Sequence, residues 1–202
     1  MVAKFKKLTK IFITPATLII FFINYACSPA NILATGGGSA LVVAEGERSM
    51  GAVIDDASIK VNIAAKFLNA ENNLFVNVNT SILEGRVLLT GLVDNQEIRI
   101  DAVRLVWEVE GVQEVINEIE IGNRTSLKDY AGDLWINTQA RAIAAKTVGI
   151  KAITFNFETI QGKIYIAGIT TRPDLLDEMI IALKNIKGVN EIVNYVMIRE
   201  KE

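Results

Sequence analysis

The sequence contains no histidine and a single cysteine, Cys27. Without imidazole there is no histidine base for a catalytic triad and no histidine for a metal cage. One thiol rules out both an intramolecular disulfide and a CxxC redox pair. Charge of one sign is also missing: 21 Lys/Arg stand against 23 Asp/Glu, a formal net charge of −2, with no basic stripe interleaved with aromatics, which disfavours nucleic acid. A glycine run, Gly36 to Gly38, lacks the Gly-Lys-Ser/Thr continuation of a phosphate loop, because Ala40 and Leu41 follow. No metal-ligand spacing and no nucleophile with an identifiable base are present, so neither an enzyme, a metal site nor a cofactor is expected.

A stretch that occurs twice dominates what is present. Residues 84–121 and 161–198 align without a gap at an offset of 77. Gly85 falls on Gly162, Gly91 on Gly168, Gly111 on Gly188, Val112 on Val189, Glu114 on Glu191 and Asn117 on Asn194. Such self-similarity means two copies of one small domain. Each copy is about 67 residues long, near the lower limit for a self-sufficient apolar core, so the copies are expected to lean on each other.

The first 27 residues differ from the rest. Lys4, Lys6, Lys7 and Lys10 precede the uncharged run Ile11 to Ala26. Sixteen residues make roughly 24 Å of helix, short of the roughly 30 Å hydrocarbon core. A basic start, an apolar middle and small residues beyond read as a secretory signal peptide. Cys27 between Ala26 and Ser28 resembles a bacterial lipobox, in which the cysteine is lipidated and becomes the mature N-terminus, although Asn24 and Tyr25 stand where a lipobox has Leu and a small residue. An uncleaved anchor, or cleavage near Ala34, is the alternative. If Cys27 is lipidated, the absence of Asp at residue 28 favours the outer membrane. Residues 28–54, with Pro29 and Gly36 to Ser39, read as a flexible tether.

In copy one, residues 55–121, Asp55 or Asp56 is expected to cap a helix whose Ile59, Ile63, Ala64 and Phe67 form an apolar face. Leu74, Val76 and Val78 alternate as a strand would. Glu84-Gly85 marks a hairpin into the strand with Val87 and Leu89. A second helix carries Ile98, Ala102, Leu105 and Val109, with Asp94 or Asn95 as cap and Gly111 at its end, and a third strand covers Val115 to Ile121. Residues 122–132 read as a polar connector. Copy two, residues 133–202, repeats the order, opening at Asp133, with Ile136, Ala140 and Ile143 inward, strands through Ile153, Phe155 and Phe157 and through Ile164 and Ile166, and a second helix through Leu175, Met179, Ala182 and Ile186. The expected class is α+β: two tandem α-β-β-α-β domains, each a three-stranded mixed sheet packed on two helices.

The double pattern of Gly-[Arg/Lys]-hydrophobic-x-hydrophobic-x-Gly, then Gly-Val-x-Glu-[Val/Ile]-[Val/Ile]-Asn about 20 residues later, behind a lipobox-like cysteine, resembles the two-BON-domain outer-membrane lipoproteins of Gram-negative bacteria. The likeness covers about residues 47 to 200. It implies an envelope-integrity role on the periplasmic face of the outer membrane, without catalysis, and binding of anionic phospholipid, chiefly phosphatidylglycerol and cardiolipin. The family's docking element is the first helix of the second domain. That assigns Trp135 as main contact, with Ile136, Thr138, Gln139, Arg141 and Ala142 beside it. Gln139 stands where the family pattern has a lysine.

Two features of the sequence point the same way. Trp135 has Ser58 as its counterpart, off the apolar stripe, and tryptophan favours bilayer interfaces. Packing of Trp135 between the two copies is the competing reading. Residues 55–121 carry five Lys/Arg against twelve Asp/Glu, a net of −7, whereas residues 133–202 carry nine against eight, a net of +1. Within residues 133–202, Arg141, Lys146 and Lys151 are the basic residues nearest Trp135 in sequence. Trp107 reads as interface or surface packing. Carboxylates such as Glu114, Glu118 and Glu120 read as solvated faces. The acidic face of copy one supports an alternative function, a scaffold for an envelope protein partner, and self-association stays open. Mass spectrometry of the mature N-terminus is expected to find a diacylglyceryl-modified Cys27, and an unmodified thiol there removes the tether.

Overall fold

The computed structural model describes residues 49–70, 73–122 and 127–200. Cys27, the leader and nearly all of the expected tether lie outside the described residues. Domain one runs α1 (Met50–Asn69), α2 (Leu74–Asn77), β1 (Val78–Leu83), β2 (Arg86–Val93), α3 (Gln96–Trp107) and β3 (Glu114–Ile121). Domain two runs α4 (Leu127–Val148), a 3-10 turn (Gly149–Thr154), β4 (Phe155–Ile160), β5 (Lys163–Thr170), α5 (Pro173–Leu183) and β6 (Glu191–Ile198). In each sheet the second strand is central, antiparallel to the first and parallel to the third. This is the mixed α+β arrangement expected.

Both first helices start earlier than their aspartates. Ser49 caps α1, its Oγ accepting from the Ala52 N–H at 3.2 Å, so Asp55 and Asp56 lie inside the helix and cap nothing. Asp56 has another task. Its carboxylate is buried and accepts from the N–H of Glu84 at 2.8 Å and of Gly85 at 2.9 Å, the two residues at the tip of the β1–β2 hairpin. Asp133, inside α4 and not at its start, does the same for Gln161 and Gly162, both at 2.9 Å. The tips use left-handed backbone, with φ of 52° and 76° at Glu84 and Gly85 and 50° and 78° at Gln161 and Gly162, as a two-residue hairpin turn demands. A Cβ on Gly85 would meet the Gly111 carbonyl at 2.7 Å, so a side chain fits there neither by conformation nor by space.

Residues 74–77 are one turn of helix, not the strand that Leu74, Val76 and Val78 suggested. Leu74 enters the core while Phe75 and Val76 face solvent. Ile153, expected in a strand, falls in the 3-10 turn. The α3 cap is Asn95, whose Oδ1 accepts from the Ile98 N–H at 3.0 Å. Ala102 and Val106 are the buried residues of α3, and Leu176, Met179 and Leu183 those of α5. Of the expected inward residues, Ala102, Val109 and Met179 are buried and Ile98, Leu105 and Ile186 pack against the cores, while Val106, Leu176 and Leu183 are buried in addition.

Each domain packs one sheet face on its helices. Ile59, Ile63 and Phe67 of α1 meet Val87, Leu89 and Val93 of β2 in domain one; Ile136, Ala140 and Ala144 of α4 meet Ile164 and Ile166 of β5 in domain two. The opposite sheet faces meet each other. Leu88 and Leu92 of β2 pack with Ile160, Tyr165 and Ala167, flanked by Ile116, Val193 and Tyr195. Burial on both faces explains why β2 and β5 are nearly continuous apolar runs. On the outer strands, Asn117 Oδ1 accepts from the Ile119 N–H at 3.1 Å and Asn194 Oδ1 from the Val196 N–H at 3.0 Å. Among the described residues, no helix is long and apolar enough to cross a membrane.

Removing the Asp56 carboxylate leaves two hairpin amides without partners. Asp56→Ala is expected to lower unfolding stability by about 2–3 kcal/mol and Asp56→Asn, which retains one acceptor oxygen, by less. The shift of the urea midpoint measures both. Equal loss in the two variants would mean that packing, and not the pair of hydrogen bonds, gives Asp56 its role.

Candidate functional site

Two clusters compete for a functional role. The first lies between the sheets. Tyr165 Oη donates to Glu120 Oε1 at 3.1 Å and Tyr195 Oη to Glu118 Oε1, while Lys163 Nζ sits 2.8 Å from Glu120 and 3.3 Å from Glu191. Lys163 also lies 5.9 Å from the Tyr165 ring centroid. Burial, with the hydrogen bond to Glu118 next, pushes the Tyr195 phenol up to about 12. Burial and then the negative Glu120 push Tyr165 above the usual tyrosine range, and the hydrogen bond to Glu120 holds Lys163 above the usual lysine range. Tyr165, Tyr195 and Lys163 therefore hold their protons at neutral pH, which suits a joint between domains. Glu118 and Glu120 are therefore acceptors for domain two, a correction to their reading as solvated faces. Outside this cluster the joint is extended by Asn79 Nδ2 donating to Glu158 at 2.7 Å and by Arg199 with Glu84.

The second candidate is the outer face of α4. Trp135 is 59% exposed and belongs to none of the buried clusters. It does not pack between the copies. Thr138 and Ala142 are exposed on the same helix, and the Thr138 hydroxyl donates to the Leu134 carbonyl at 2.8 Å, so its polar atom is satisfied within the helix. Arg141 is exposed, with Nε donating to Asn137 Oδ1 at 3.2 Å and Nη2 to the Phe157 carbonyl at 3.3 Å. Gln139 is half-buried. Ile136 departs from the expected set: it is 4% exposed, packs in the domain-two core and reaches toward Gly188, so it supports the helix from beneath and offers no outer contact. Trp107 is half-exposed at the end of α3, a surface position.

The starting point of α4 adds residues that the sequence pattern did not single out. Because the helix begins at Leu127, Tyr130 is helical and half-exposed, one turn before the exposed Leu134. A further residue comes from the fold. In domain one, Ser58 lines a groove of about 450 Å³ together with Asp55, Glu84 and Glu110. At the 77-residue offset, the matching positions in domain two are Trp135, Gly132, Gln161 and Lys187. Three carboxylates are replaced by none, and one by a lysine. Sequence alone does not connect Lys187 with Trp135, 52 positions away; in the fold its neighbour Gly188, in the turn after α5, packs against Ile136 of the first helix. Lys146 is exposed five residues beyond Arg141 on the same helix. No group of three potential metal ligands converges among the described residues.

Comparison with known proteins follows this architecture. A family model described as the BON domain matches residues 55–123 and again residues 132–200. The chain is 33% identical over 150 residues to a protein of Anaplasma centrale described as an uncharacterized protein in the gshII 5′ region, covering 74% of this chain and 98% of that one. It is 30% identical over 159 residues to the outer membrane lipoprotein DolP of Haemophilus influenzae, covering 78% and 82%. Identity to the 21 kDa hemolysin of Actinobacillus pleuropneumoniae is 27% over 153 residues, covering 74% and 78%.

The joint makes stability pH-dependent in a defined direction. An unfolded tyrosine ionises near its ordinary value of 10.0, whereas Tyr195 keeps its proton in the fold up to about 12. The unfolded state therefore loses the proton first, and the contribution, complete below 10.0, is lost as pH rises toward about 12. Urea midpoints measured from neutral pH into this window are expected to fall, and Tyr165→Phe/Tyr195→Phe is expected to make the fall shallower. An unchanged slope in the double variant would assign the alkaline sensitivity to other groups.

Proposed function

Because the chain belongs to the BON-domain family, we propose that it is an outer-membrane lipoprotein, tethered at Cys27 on the periplasmic face, that docks on anionic phospholipid through α4 and so supports envelope integrity. The observation that carries the reading is Trp135. A fold that needs only serine at the matching position of domain one exposes an indole in domain two. Indole is apolar over its rings and polar at its N–H, the combination favoured where hydrocarbon meets headgroups.

Energetics fit a peripheral contact. Burying the exposed part of the indole contributes roughly 2–3 kcal/mol, and each well-placed basic residue about 1 kcal/mol. Arg141 and Lys187 supply such charge, while domain two lacks counterparts of the Asp55, Glu84 and Glu110 carboxylates that line the domain-one groove, which lessens repulsion from an anionic surface. This sum gives weak binding for a free protein. A lipid on Cys27 would hold the chain near the bilayer, where weak contacts suffice because the second encounter is intramolecular. The relative named outer membrane lipoprotein DolP supports the same location. The scaffold alternative drew on the acidic face of domain one, and Glu118 and Glu120 from that face are engaged with Tyr195, Tyr165 and Lys163.

Co-sedimentation with phosphatidylethanolamine vesicles tests the reading. Adding phosphatidylglycerol or cardiolipin is expected to raise binding, and Trp135→Ala to lower it on the order of tenfold or more. Undiminished binding by a folded Trp135→Ala chain would exclude Trp135 as the main contact. Binding indifferent to anionic lipid would exclude the electrostatic part.

A further inference from the structure

Exposed apolar side chains of domain one stand beside α4. Phe75 and Val76, on the single turn α2, are 53% and 77% exposed. Leu74 of the same turn is fully buried and anchors α2 to the core, so the turn presents its two neighbours on a fixed base. The shared fold does not require a ring at position 75: the counterpart of Phe75 is Ala152, which packs against the domain-two core. Val76 lines a groove of about 160 Å³ with Tyr130 and Leu134 of α4. Phe75 lines a second groove, of about 300 Å³, with Lys60 of α1 and Arg141 of α4.

The two cations of that groove are available. Among the described residues neither Lys60 nor Arg141 makes an ion pair; Arg141 donates only to the neutral oxygens of Asn137 and Phe157. Glu158 also lines both grooves and accepts from Asn79. Apolar side chains from both domains thus adjoin, with a lysine from one domain and an arginine from the other between them. A contiguous exposed apolar surface of this kind marks an interaction site, and its basic flank fits anionic headgroups over hydrocarbon. Leu134 and Trp135 of α4 are both exposed, at 57% and 59%, so exposed apolar surface extends from the grooves to the docking face described above.

We propose that domain one docks as well: Phe75 and Val76 enter the same anionic bilayer interface as Trp135, and Lys60 and Arg141 take headgroups between them. This rests on docking through α4 and adds a second point of insertion. Two points on different domains fix the orientation of the molecule on the bilayer, which a single helix leaves free to rock.

Depth-dependent quenching separates the two ideas. The full chain is prepared with one tryptophan reporter at a time: Trp107→Phe leaves Trp135, and Trp107→Phe/Trp135→Phe/Phe75→Trp places the reporter at position 75. Each is mixed with phosphatidylglycerol vesicles carrying bromine on the upper acyl chain, at a lipid concentration at which co-sedimentation shows that chain to be fully bound. Quenching at both positions is expected, together with a several-fold loss of binding in Phe75→Ser/Val76→Ser and in Lys60→Glu. Quenching of Trp135 alone overturns the second insertion point and leaves α4 docking standing. Absence of quenching at both positions overturns both. Burial of position 75 by self-association in lipid-free solution, read by sedimentation, overturns the bilayer as its occupant.

Discussion

Everything in this fold is referred to a carboxylate that grips two neighbouring amides. Asp56 and Asp133 each reach from the first helix of their domain to the tip of a hairpin, and the next carbonyl of that tip accepts from the start of the third strand, Gln113 to Gly85 at 2.8 Å and Asn190 to Gly162 at 2.9 Å. Helix, hairpin and crossover strand are thereby tied at one point. The buried charge is tolerated because both oxygens have hydrogen-bond donors. The grip also sets which way the helix faces. A residue two positions beyond the aspartate lies about 200° around the helix, so with Asp133 turned inward Trp135 is turned outward, while Ile136 comes back to the core.

The sheets contribute the second constraint. Each leaves one face uncovered by helices, and in a domain of about 70 residues that face is too large a share of the apolar surface to leave in water. Pairing the two faces buries Leu88, Leu92, Ile160 and Tyr165, and the rim of the joint is completed by phenols donating to carboxylates beside the Lys163–Glu120 and Arg199–Glu84 ion pairs. A hydrogen bond from a tyrosine that stays protonated satisfies a carboxylate at lower desolvation cost than a buried ion pair. Part of the negative surplus of domain one is therefore internal to the molecule, and domain two presents α4 without that burden.

Much of the architecture was legible because a gapless repeat with matching glycines and alternating apolar residues leaves few alternatives. The failures have physical causes. An aspartate ahead of an apolar helical stripe gives the same local signal whether it caps the helix or reaches back to a hairpin, so both helix starts were placed late and Tyr130 was assigned to a connector. Over five residues, Leu74 to Val78, a period of two does not separate a strand from a helical turn followed by a strand. Ile136 belongs to the contact set only through the family resemblance; its place on the inward stripe with Ala140 is the reading that the buried side chain bears out. Lys187, Lys60 and the partners of Glu118 and Glu120 depend on contacts across dozens of residues. The contrast between Trp135 and Ser58 was visible at once, because the repeat supplies its own comparison.

The side chains of Asn117 and Asn194 have an effect beyond their own strands. Each occupies a main-chain donor on the outer strand of a three-stranded sheet, and an outer strand with free donors is a template for a strand from another molecule. Chains confined to a surface meet far more often than chains in solution. Among the described residues each three-stranded sheet has two outer strands, and on one of them per domain an amide closed by the neighbouring asparagine interrupts the hydrogen-bond ladder that a strand from another molecule would need.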